Sequence, residues 1–505
     1  MNSCIVTIIK DEHLYLDEWI RYHLDIGFSH IFVFEDMDSL SHRAIADKYQ
    51  EVTLRSVDSV LSDTDKAEAA ERKKTKRGSP HYIYLKGILS YMSHNPAIAG
   101  EYRWVFPIDV DEFVTLESGG DINEAMKAYE GYDAVVLRWK CFGASGRILQ
   151  PDYSKTTVVD AFQAEASPLR SERLECQCKS CYDITRYRQG FVGTPHAPSD
   201  LCNYCNTDYI KDAASASLGR IYIRHYITKS WTEYVDKLQL RGFMWGGRRG
   251  LDFFFEANED LADRRAELIS DLRKEVLVVM PYSGRRAQGR EIELMLSGWR
   301  KNCKFRYHFV VIGDFDNVDR SKFGWVDFID CPRIPLAKGQ YTPHLDIMHK
   351  FSVVMERFAG RYEGFFYVTD DEYAIKPFSL WDLRRTYYHS PAFRGEESAP
   401  TSFWRHDKWK TRRLLDRENL PHVNYTTHFP AYFEFDKLRG IIDKYDLLNE
   451  SYVFDDVYFN SFEHDEPVLD SSIRLGVWSK GIFERDFSEA VEDSRIKFVC
   501  NSVEG

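Results

Sequence analysis

The stretch Trp104-Val-Phe-Pro-Ile-Asp109-Val-Asp111-Glu112-Phe113 joins an apolar run to three acidic residues. Aromatic and β-branched residues occupy both faces of the run, a pattern that predicts a buried strand. Unpaired carboxylates are costly to bury, so we expect the acids where the strand leaves the core. Two interpretations stay open at this point. The acids form either a solvated turn or a site for Mg²⁺ or Mn²⁺, because both ions prefer oxygen ligands.

The segments around this stretch alternate between strand and helix patterns. Strands are predicted over residues 4–9, 30–34 and 52–57, and helices over residues 14–26 and 67–92, the second helix being interrupted near residues 78–80. This alternation predicts an open, mainly parallel α/β sheet, whose ligands bind at the carboxyl ends of the strands. Acidic residues follow three of the strands, at Asp11-Glu12, Glu35-Asp36 and Asp109-Val-Asp111. We therefore expect them to share one edge of the sheet.

Length and composition limit the class of protein. The chain has 505 residues, 44% of them hydrophobic, and a formal net charge of -12. This length exceeds one ordinary core and predicts two domains. This negative net charge disfavours a non-specific nucleic-acid binder, so no nucleic-acid partner is expected. The apolar runs are too short for a membrane span or a signal peptide. We therefore expect a cytoplasmic protein, with peripheral membrane association left open.

The strand and helix pattern restarts in the second half of the chain. Strands are predicted over residues 276–280, 307–312 and 364–369, and a helix over residues 291–302. The third of these strands runs into Asp370-Asp371-Glu372, much as the earlier one runs into Asp109-Val-Asp111. We place a domain boundary near residue 270, which gives domains of residues 1–270 and 271–505.

The motifs of the first half occur in an order that is known from one family. They are Lys10-Asp11-Glu12, Glu18-Trp19, His23, Gly27, Glu35-Asp36, Asp109-Val-Asp111-Glu112-Phe113, Arg138-Trp139, Phe142-Gly143 to Gly146, and His225-Tyr226 to Arg241-Gly242. Together they resemble glycosyltransferase family 92 and its relatives. The resemblance implies a GT-A fold that binds a nucleotide sugar, with a UDP-sugar foremost, through a divalent metal. Asp11 departs from the family, which usually has Asn there, and the segment between Phe142 and His225 is atypical.

The same resemblance implies roles for individual side chains. Asp109 and Asp111 would hold Mn²⁺ or Mg²⁺, with His225 either the third ligand or a structural histidine. The implied donor-binding residues are Asp11, Glu12, Glu35 and Asp36 for the base and ribose, and Lys229 and Arg241 for the leaving diphosphate. Transfer to a hydroxyl needs a general base, for which Glu172 and Glu175 are candidates that spacing does not separate.

A cysteine-rich insertion, about residues 172–210, interrupts the first domain. It contains Cys178-x₂-Cys181, twenty further residues, and Cys202-x₂-Cys205. This spacing is typical of a structural zinc ribbon with four thiolate ligands. Free cysteines in a reducing compartment are the alternative, as are disulfides in a secreted protein. Lys179-Ser180 also matches a Lys-Ser pair of the family pattern, so part of the insertion could instead line the active site.

The second half carries shorter motifs. A helical pattern precedes Asp370-Asp371, His428-Phe-Pro430 follows, and Asp455-Asp456 comes last. This order resembles the Stealth-type sugar-phosphate transferases and is also similar to a second GT-A glycosyltransferase. The resemblance implies that Asp370, Asp371 and Glu372 approach the donor diphosphate and that Asp455 or Asp456 is the base. It adds Arg285 and Arg286 as phosphate contacts, and His428 as a catalytic or core histidine.

Three functions follow from these observations. The leading hypothesis is a bifunctional, metal-dependent glycosyltransferase that acts on a glycan or lipid-linked glycan, in bacterial surface polysaccharide synthesis. The second hypothesis assigns glycosyltransferase activity to the first domain and hexose-1-phosphate transferase activity to the second domain. The third is a glycan-binding protein on a degenerate transferase fold, against which the intact acidic motifs of both halves argue.

Overall fold

The computed structural model describes residues 2–10, 12, 14–36, 40–75, 80–153, 155–168, 178–194, 196–206, 221–238, 250–284, 291–334, 343–391, 403–462, 467–477 and 496–501. Contacts between Cα atoms divide the chain into two compact units. Unit 1 is Met1–Arg265 with Glu492–Ser494, and unit 2 is Ala266–Val491 with Arg495–Gly505. The division falls close to residue 270, where the sequence predicts a boundary.

Unit 1 has a mixed α/β architecture. Its strands are β1 (Asn2–Ile9), β2 (His30–Glu35), β3 (Val52–Ser56), β4 (Tyr102–Pro107), β5 (Glu112–Leu116), β6 (Ala134–Phe142), β7 (Cys178–Asp183), β8 (Tyr204–Asn206) and β9 (Ile221–Tyr226). Its helices are α1 (Leu16–Asp25), α2 (Leu40–Ala46), α3 (Asp63–Thr75), α4 (His81–His94), α5 (Pro96–Glu101), α6 (Ile122–Met126), α7 (Val158–Ala161), α8 (Trp231–Asp236) and α9 (Leu251–Ala257). The helical stretch that the sequence predicts over residues 67–92 is thus two helices, with the break where Pro80 precedes α4.

The strands of unit 1 form one large sheet in the order β3-β2-β1-β4-β7-β6-β9-β5, with β8 beside β6. Strands β3, β2, β1 and β4 run parallel to one another, whereas β7 runs antiparallel to both β4 and β6. The prediction of a largely parallel α/β sheet is confirmed for this half. The atypical insertion contributes β7, which lies inside the sheet rather than outside it.

Side chains of the central strands alternate between two cores. On β1, Cys4 and Val6 pack into one hydrophobic cluster, while Ile5 and Ile9 pack into the other. Successive strand residues point to opposite faces, so a strand buried on both sides must be apolar throughout. This burial explains the continuous apolar runs in the sequence. It also fixes where the carboxyl ends of β1, β2 and β4 emerge.

Unit 2 repeats the α/β arrangement. Its strands are β10 (Val276–Ser283), β11 (Tyr307–Asp314), β12 (Val326–Asp330), β13 (Gly364–Tyr367), β14 (Glu372–Ala374), β15 (Tyr387–Tyr388), β16 (Ala431–Glu434), β17 (Val468–Leu469), β18 (Arg474–Val477) and β19 (Phe498–Asn501). Its helices are α10 (Arg265–Arg273), α11 (Glu291–Asn302), α12 (Pro343–Phe358), α13 (Leu380–Arg384), α14 (Phe403–Glu418), α15 (Phe435–Tyr445) and α16 (Phe454–Ser461).

The main sheet of unit 2 has the order β12-β11-β10-β13-β16, with β16 antiparallel to β13. A smaller sheet, β14-β19-β18, brings the C-terminal β19 beside β14. In both units, none of the described helices is long and apolar enough to cross a lipid bilayer.

Candidate functional site

Three acidic strand ends share one edge of the sheet in unit 1. Strand β1 pairs in parallel with β2, with Ile9 opposite Glu35, and in parallel with β4, with Val6 opposite Pro107. The expected convergence of these strand ends is therefore confirmed. Strand β4 stops at Pro107, two residues before the predicted end, so Asp109 to Asp111 form a turn that leads into β5. The Glu112 amide donates to the Asp109 carbonyl and closes this turn at 3.0 Å.

The two aspartates of the turn are surrounded by cations. The Lys179 ammonium donates to Asp109 Oδ2 at 2.8 Å. Asp111 Oδ2 lies 3.4 Å from Lys237 Nζ and 3.9 Å from Lys229 Nζ. The Asp111 side chain is 13% exposed and that of Asp109 is 40% exposed. The turn is thus a partly open acidic site, neutralised by three lysines.

Lys179 comes from the inserted strand β7. Its side chain is 3% exposed and also lies 3.6 Å from Glu112 Oε2, which is fully buried. Glu112 in turn accepts a hydrogen bond from the Asp109 amide at 2.9 Å. Because β7 lies directly beside β4, the insertion places a buried cation at the end of the strand that carries the motif. Of the Lys179-Ser180 pair, Lys179 thus contacts the acidic turn, whereas the Ser180 hydroxyl donates to the His196 carbonyl at 2.9 Å.

These contacts set the protonation states of the acids. Burial raises the pKa of Asp109, but Lys179 and His81 outweigh it and lower that pKa to about 2. The pKa of Asp111 is likewise lowered, because Lys237, Lys229 and His225 outweigh the effect of burial. Burial raises the pKa of Glu112 well above its usual range. Asp109 and Asp111 are therefore ionised at neutral pH, as ligands of a cation must be.

His225 reaches the same turn from β9. Strand β9 pairs antiparallel with β5 and sets His225 opposite Glu112. The His225 Nε2 atom lies 3.8 Å from Asp111 Oδ1, and its ring packs on Trp139 with 4.2 Å between centroids. The predicted proximity of His225 to the acidic motif is therefore present, and the tryptophan fixes the orientation of the imidazole.

The lysine that follows β9 has an unusual backbone conformation. Lys229 adopts a φ of 53°, in the left-handed region that residues with a Cβ seldom occupy. Helix α8 begins immediately afterwards, where Ser230 and Glu233 form a capping box. The Lys229 ammonium lies 4.6 Å from the centroid of the Tyr15 ring. A helix cap and a cation–π contact thus hold this cation beside Asp111.

Two ionised carboxylates and an imidazole are suitable donors for Mn²⁺ or Mg²⁺. Among the described residues, however, the ligand atoms of Asp109, Asp111 and His225 do not all lie within 4.8 Å of one another. Each carboxylate instead has an ammonium group as a close partner. The residues fit a divalent ion by chemical type, and the ion would compete with Lys179 and Lys237 for their oxygens.

Several predicted donor contacts have other partners in the structure. Glu35, which we expect to contact base or ribose, is 2% exposed and its carboxylate lies 2.7 Å from the buried His42 ring. Asp36 accepts a hydrogen bond from the Tyr84 hydroxyl at 3.0 Å and lies at the shared edge, as does Glu12 beyond β1. The remaining predicted residues of this half, Asp11, Glu172, Glu175 and Arg241, lie outside the described residues.

The structure does not support the predicted zinc ribbon. Cys178 and Cys181 both lie in β7, where residues three apart point to opposite faces. Cys181 belongs to one core of the sheet and Cys202 to the other, while Cys205 lies on β8. Burial raises the pKa of Cys181, Cys202 and Cys205, which keeps these thiols neutral. The CxxC spacing therefore reflects a buried strand and not a metal-binding knuckle.

Unit 2 has its own acidic cluster at the end of β13. Burial and the neighbouring Asp371 raise the pKa of Asp370 to about 7. Burial raises the pKa of Tyr367, and the carboxyls of Asp455, Asp371 and Asp370 raise it further. His428 Nδ1 lies 3.2 Å from Asp371 Oδ2. The structure therefore brings together four of the residues that the sequence predicts for this half.

Two other predicted residues of unit 2 have structural roles. Glu372, which we expect to approach the donor diphosphate, is buried on β14 and lies 3.4 Å from the Arg474 guanidinium. Asp456 is fully buried and accepts hydrogen bonds from the Tyr425 amide and the Thr426 hydroxyl. It orders that loop, which leaves Asp455 as the candidate base. Arg285 and Arg286 lie outside the described residues.

Comparison of the sequence with known proteins found a similarity to a glycosyltransferase. No protein-family model matches the chain. A glycosyltransferase family 92 protein of Ricinus communis is 23% identical over 249 residues, which are 48% of this chain and 38% of that protein. The chain thus spans well under half the length of this relative. The resemblance to family 92 that the motifs predict is confirmed as a sequence similarity.

The structural neighbours are also glycosyltransferases. Mouse xyloside xylosyltransferase 1, in its apo form, is 11% identical, with a TM-score of 0.26 over 45% of this chain and 97% of its own. A glycosyltransferase involved in the glycosylation of the major capsid of PBCV-1 is 13% identical, with a TM-score of 0.26 over 46% and 95% of the two chains. The mannosyltransferase Ktr4p of S. cerevisiae is 12% identical, with a TM-score of 0.20 over 27% and 39%.

Proposed function

We propose that unit 1 is a glycosyltransferase that moves a sugar from a nucleotide-sugar donor, a UDP-sugar in the first instance, to a hydroxyl of a glycan. The observation that carries the proposal is the Asp109–Asp111 turn with three lysines around it. It lies at the carboxyl edge of parallel strands, where α/β sheets bind their ligands. The sequence similarity to a family 92 protein supports the same function.

The lysines suit the chemistry of the leaving group. Departure of a nucleoside diphosphate develops negative charge, which positioned cations stabilise. Lys237 is 38% exposed and is the most accessible of the three, so we assign it to the diphosphate, together with Lys229. Buried Lys179 keeps Asp109 ionised. A bound Mn²⁺ or Mg²⁺, held by Asp109, Asp111 and His225, would add Lewis-acid stabilisation of the same charge.

Unit 2 is proposed to be a second transferase, which would make the chain bifunctional. Asp370 and Asp371 supply carboxyls at a strand end, as the turn of unit 1 does, and Asp455 lies in the first turn of α16. Burial, with Asp456 nearby, raises the pKa of Asp455 well above its usual value. A carboxylate with a raised pKa is a better acceptor for the proton of an attacking hydroxyl. We place the acceptor among glycans or lipid-linked glycans of a bacterial surface, with the enzyme at the cytoplasmic face of the membrane.

Donor hydrolysis tests the function of unit 1. The full chain is incubated with a panel of nucleotide sugars, and release of the nucleoside diphosphate is measured. We expect at least one donor to be hydrolysed, and Asp111→Asn to lower that rate by about 10²-fold or more. Asp252→Asn is the matched control, because its side chain is 84% exposed. A full rate in Asp111→Asn would refute the proposed site, and hydrolysis of no donor would favour the glycan-binding alternative.

The same assay separates the two units. If the chain is bifunctional, Asp371→Asn should abolish hydrolysis of a donor that Asp111→Asn leaves untouched. Asp436→Asn, whose side chain is fully exposed, is the control for unit 2. Loss of every activity in Asp111→Asn, with none lost in Asp371→Asn, would contradict a second catalytic site.

A further inference from the structure

Unit 2 contains a group of three potential metal ligands of different chemical types. Asp371 follows β13, His428 precedes β16, and Cys500 lies on β19. One ligand atom from each lies within 4.8 Å of the other two, a criterion that only this group meets among the described residues. Asp371 belongs to the acidic motif Asp370-Asp371-Glu372, and His428 belongs to the motif His428-Phe-Pro430. Cys500 joins them only through the pairing of the C-terminal strand.

The backbone holds these three residues in place from independent directions. Strand β19 pairs antiparallel with β14 and sets Cys500 opposite Glu372, the residue after Asp371. Cys500 is completely buried. His428 has a φ of 56°, which is strained for a residue other than glycine, and its carbonyl accepts a hydrogen bond from the Thr369 hydroxyl at 3.4 Å. The surrounding structure therefore constrains the backbone at Cys500 and at His428.

Two of the three separations between the ligand atoms are close to those around a tetrahedral ion. His428 Nδ1 lies 3.2 Å from Asp371 Oδ2, and Cys500 Sγ lies 3.7 Å from the same oxygen. Zinc bonds of about 2.0–2.3 Å at tetrahedral angles place N and O about 3.4 Å apart and S and O about 3.6 Å apart. Binding of an ion by these three side chains thus requires only small side-chain movements.

We propose that Asp371, His428 and Cys500 form a zinc site in unit 2. The thiol distinguishes this ion from Mg²⁺ and Mn²⁺, which prefer oxygen, because sulfur and imidazole together favour Zn²⁺. Three protein ligands leave the fourth position for water or a substrate oxygen, the pattern of catalytic rather than structural zinc sites. The site shares Asp371 with the carboxyl cluster that we propose for transfer in unit 2, and it is tested by metal binding and not by transfer activity.

Cobalt substitution tests the thiolate ligand directly. The full chain is stripped with a chelator, and Co²⁺ is added in steps while absorption is followed. We expect a sulfur-to-cobalt charge-transfer band in the near ultraviolet that saturates at one ion per chain and disappears on competition with Zn²⁺. The Asp109, Asp111 and His225 group contains no sulfur, so an ion bound there does not produce this band.

Variants of the three ligands locate the ion, and two other cysteines serve as controls. Cys500→Ser should abolish the band, and His428→Asn should weaken Zn²⁺ binding at least tenfold, asparagine being chosen because it tolerates a positive φ. Cys181→Ser, from the rejected zinc ribbon, and Cys303→Ser should behave as the parent chain. If Cys500→Ser does not fold, Asp371→Asn replaces it, with a tenfold loss of affinity expected. An absent band in the parent chain, or an equal band in Cys500→Ser, would overturn the proposal and leave a hydrogen-bonded triad without metal.

Discussion

Replacing Lys179 by methionine tests whether a buried cation organises the acidic turn of unit 1. Methionine keeps most of the side-chain volume and removes the charge. Loss of one member of a buried ion pair costs about 3–5 kcal/mol. The Asp109 carboxylate is 40% exposed and can be hydrated in the variant, which reduces this cost. We therefore expect a loss of about 3 kcal/mol, at the low end of that range.

The change in stability should be visible by calorimetry of the full chain. At about 2–4 °C per kcal/mol for a domain of this size, the transition of unit 1 should fall by about 6–12 °C at pH 7.5. Lys127→Met is the matched control, since Lys127 and Glu124 pair on the surface with 64% and 65% of their side chains exposed. The control should lose less than about 1 kcal/mol. Equal shifts in the two variants would refute the argument.

The dependence on pH supplies a second check. The pKa of folded Asp109 is about 2, below its unfolded value, so its ion pair contributes stability above the unfolded pKa. That contribution is lost as the pH falls through about 2. Lys179→Met removes the pair, so the parent chain should lose more stability than the variant between about pH 4 and pH 2. A difference in unfolding free energy between the parent chain and Lys179→Met that stays constant over this range would contradict the assigned pairing.

Three further predictions concern other parts of unit 1. Burial lowers the pKa of His23 to about 3, so its neutral ring contributes stability in full above about pH 6.5, and this contribution is lost as the pH falls toward 3. The free energy of unfolding in urea should therefore depend less on pH in His23→Leu over that range. Parallel pH profiles of the parent chain and the variant would contradict this. Ser230→Ala removes the cap of α8 and should cost about 1 kcal/mol in the same assay, so an unchanged midpoint would show that the capping box is dispensable. EDTA should abolish donor hydrolysis by unit 1 and Mn²⁺ should restore it, whereas a rate indifferent to chelation would exclude a required metal.

Local sequence patterns were sufficient to predict the sheet of unit 1 and the edge of that sheet at which the acidic residues lie. The strand that contains Trp104 and Phe106 had to be buried, because its residues are apolar on both faces. Acids after such a strand can only lie where it leaves the core. The same reasoning located Asp370 and Asp371 in unit 2. It placed the end of β4 two residues late, because apolar Ile108 and Val110 continue the pattern into the turn.

The cysteine motif shows why a local pattern can mislead. The spacing of Cys178 and Cys181 fits a zinc knuckle only if the chain makes a tight turn there. In β7 the same spacing directs the two thiols to opposite faces. Glu35 is a similar case, since its position at a strand end suggested a ligand contact, whereas the nearby His42 ring binds it in the core.

The sequence by itself determined that the chain alternates strands and helices, that acids follow the buried strands, and that its first half resembles family 92. Those features depend on side-chain periodicity and short motifs, which are properties of neighbouring residues. Only the tertiary structure decided that Lys179 binds Asp109, 70 residues away, and that Cys500 meets Asp371, 129 residues away. Such pairs depend on the order and register of strands, because backbone hydrogen bonding between distant segments selects which side chains become neighbours.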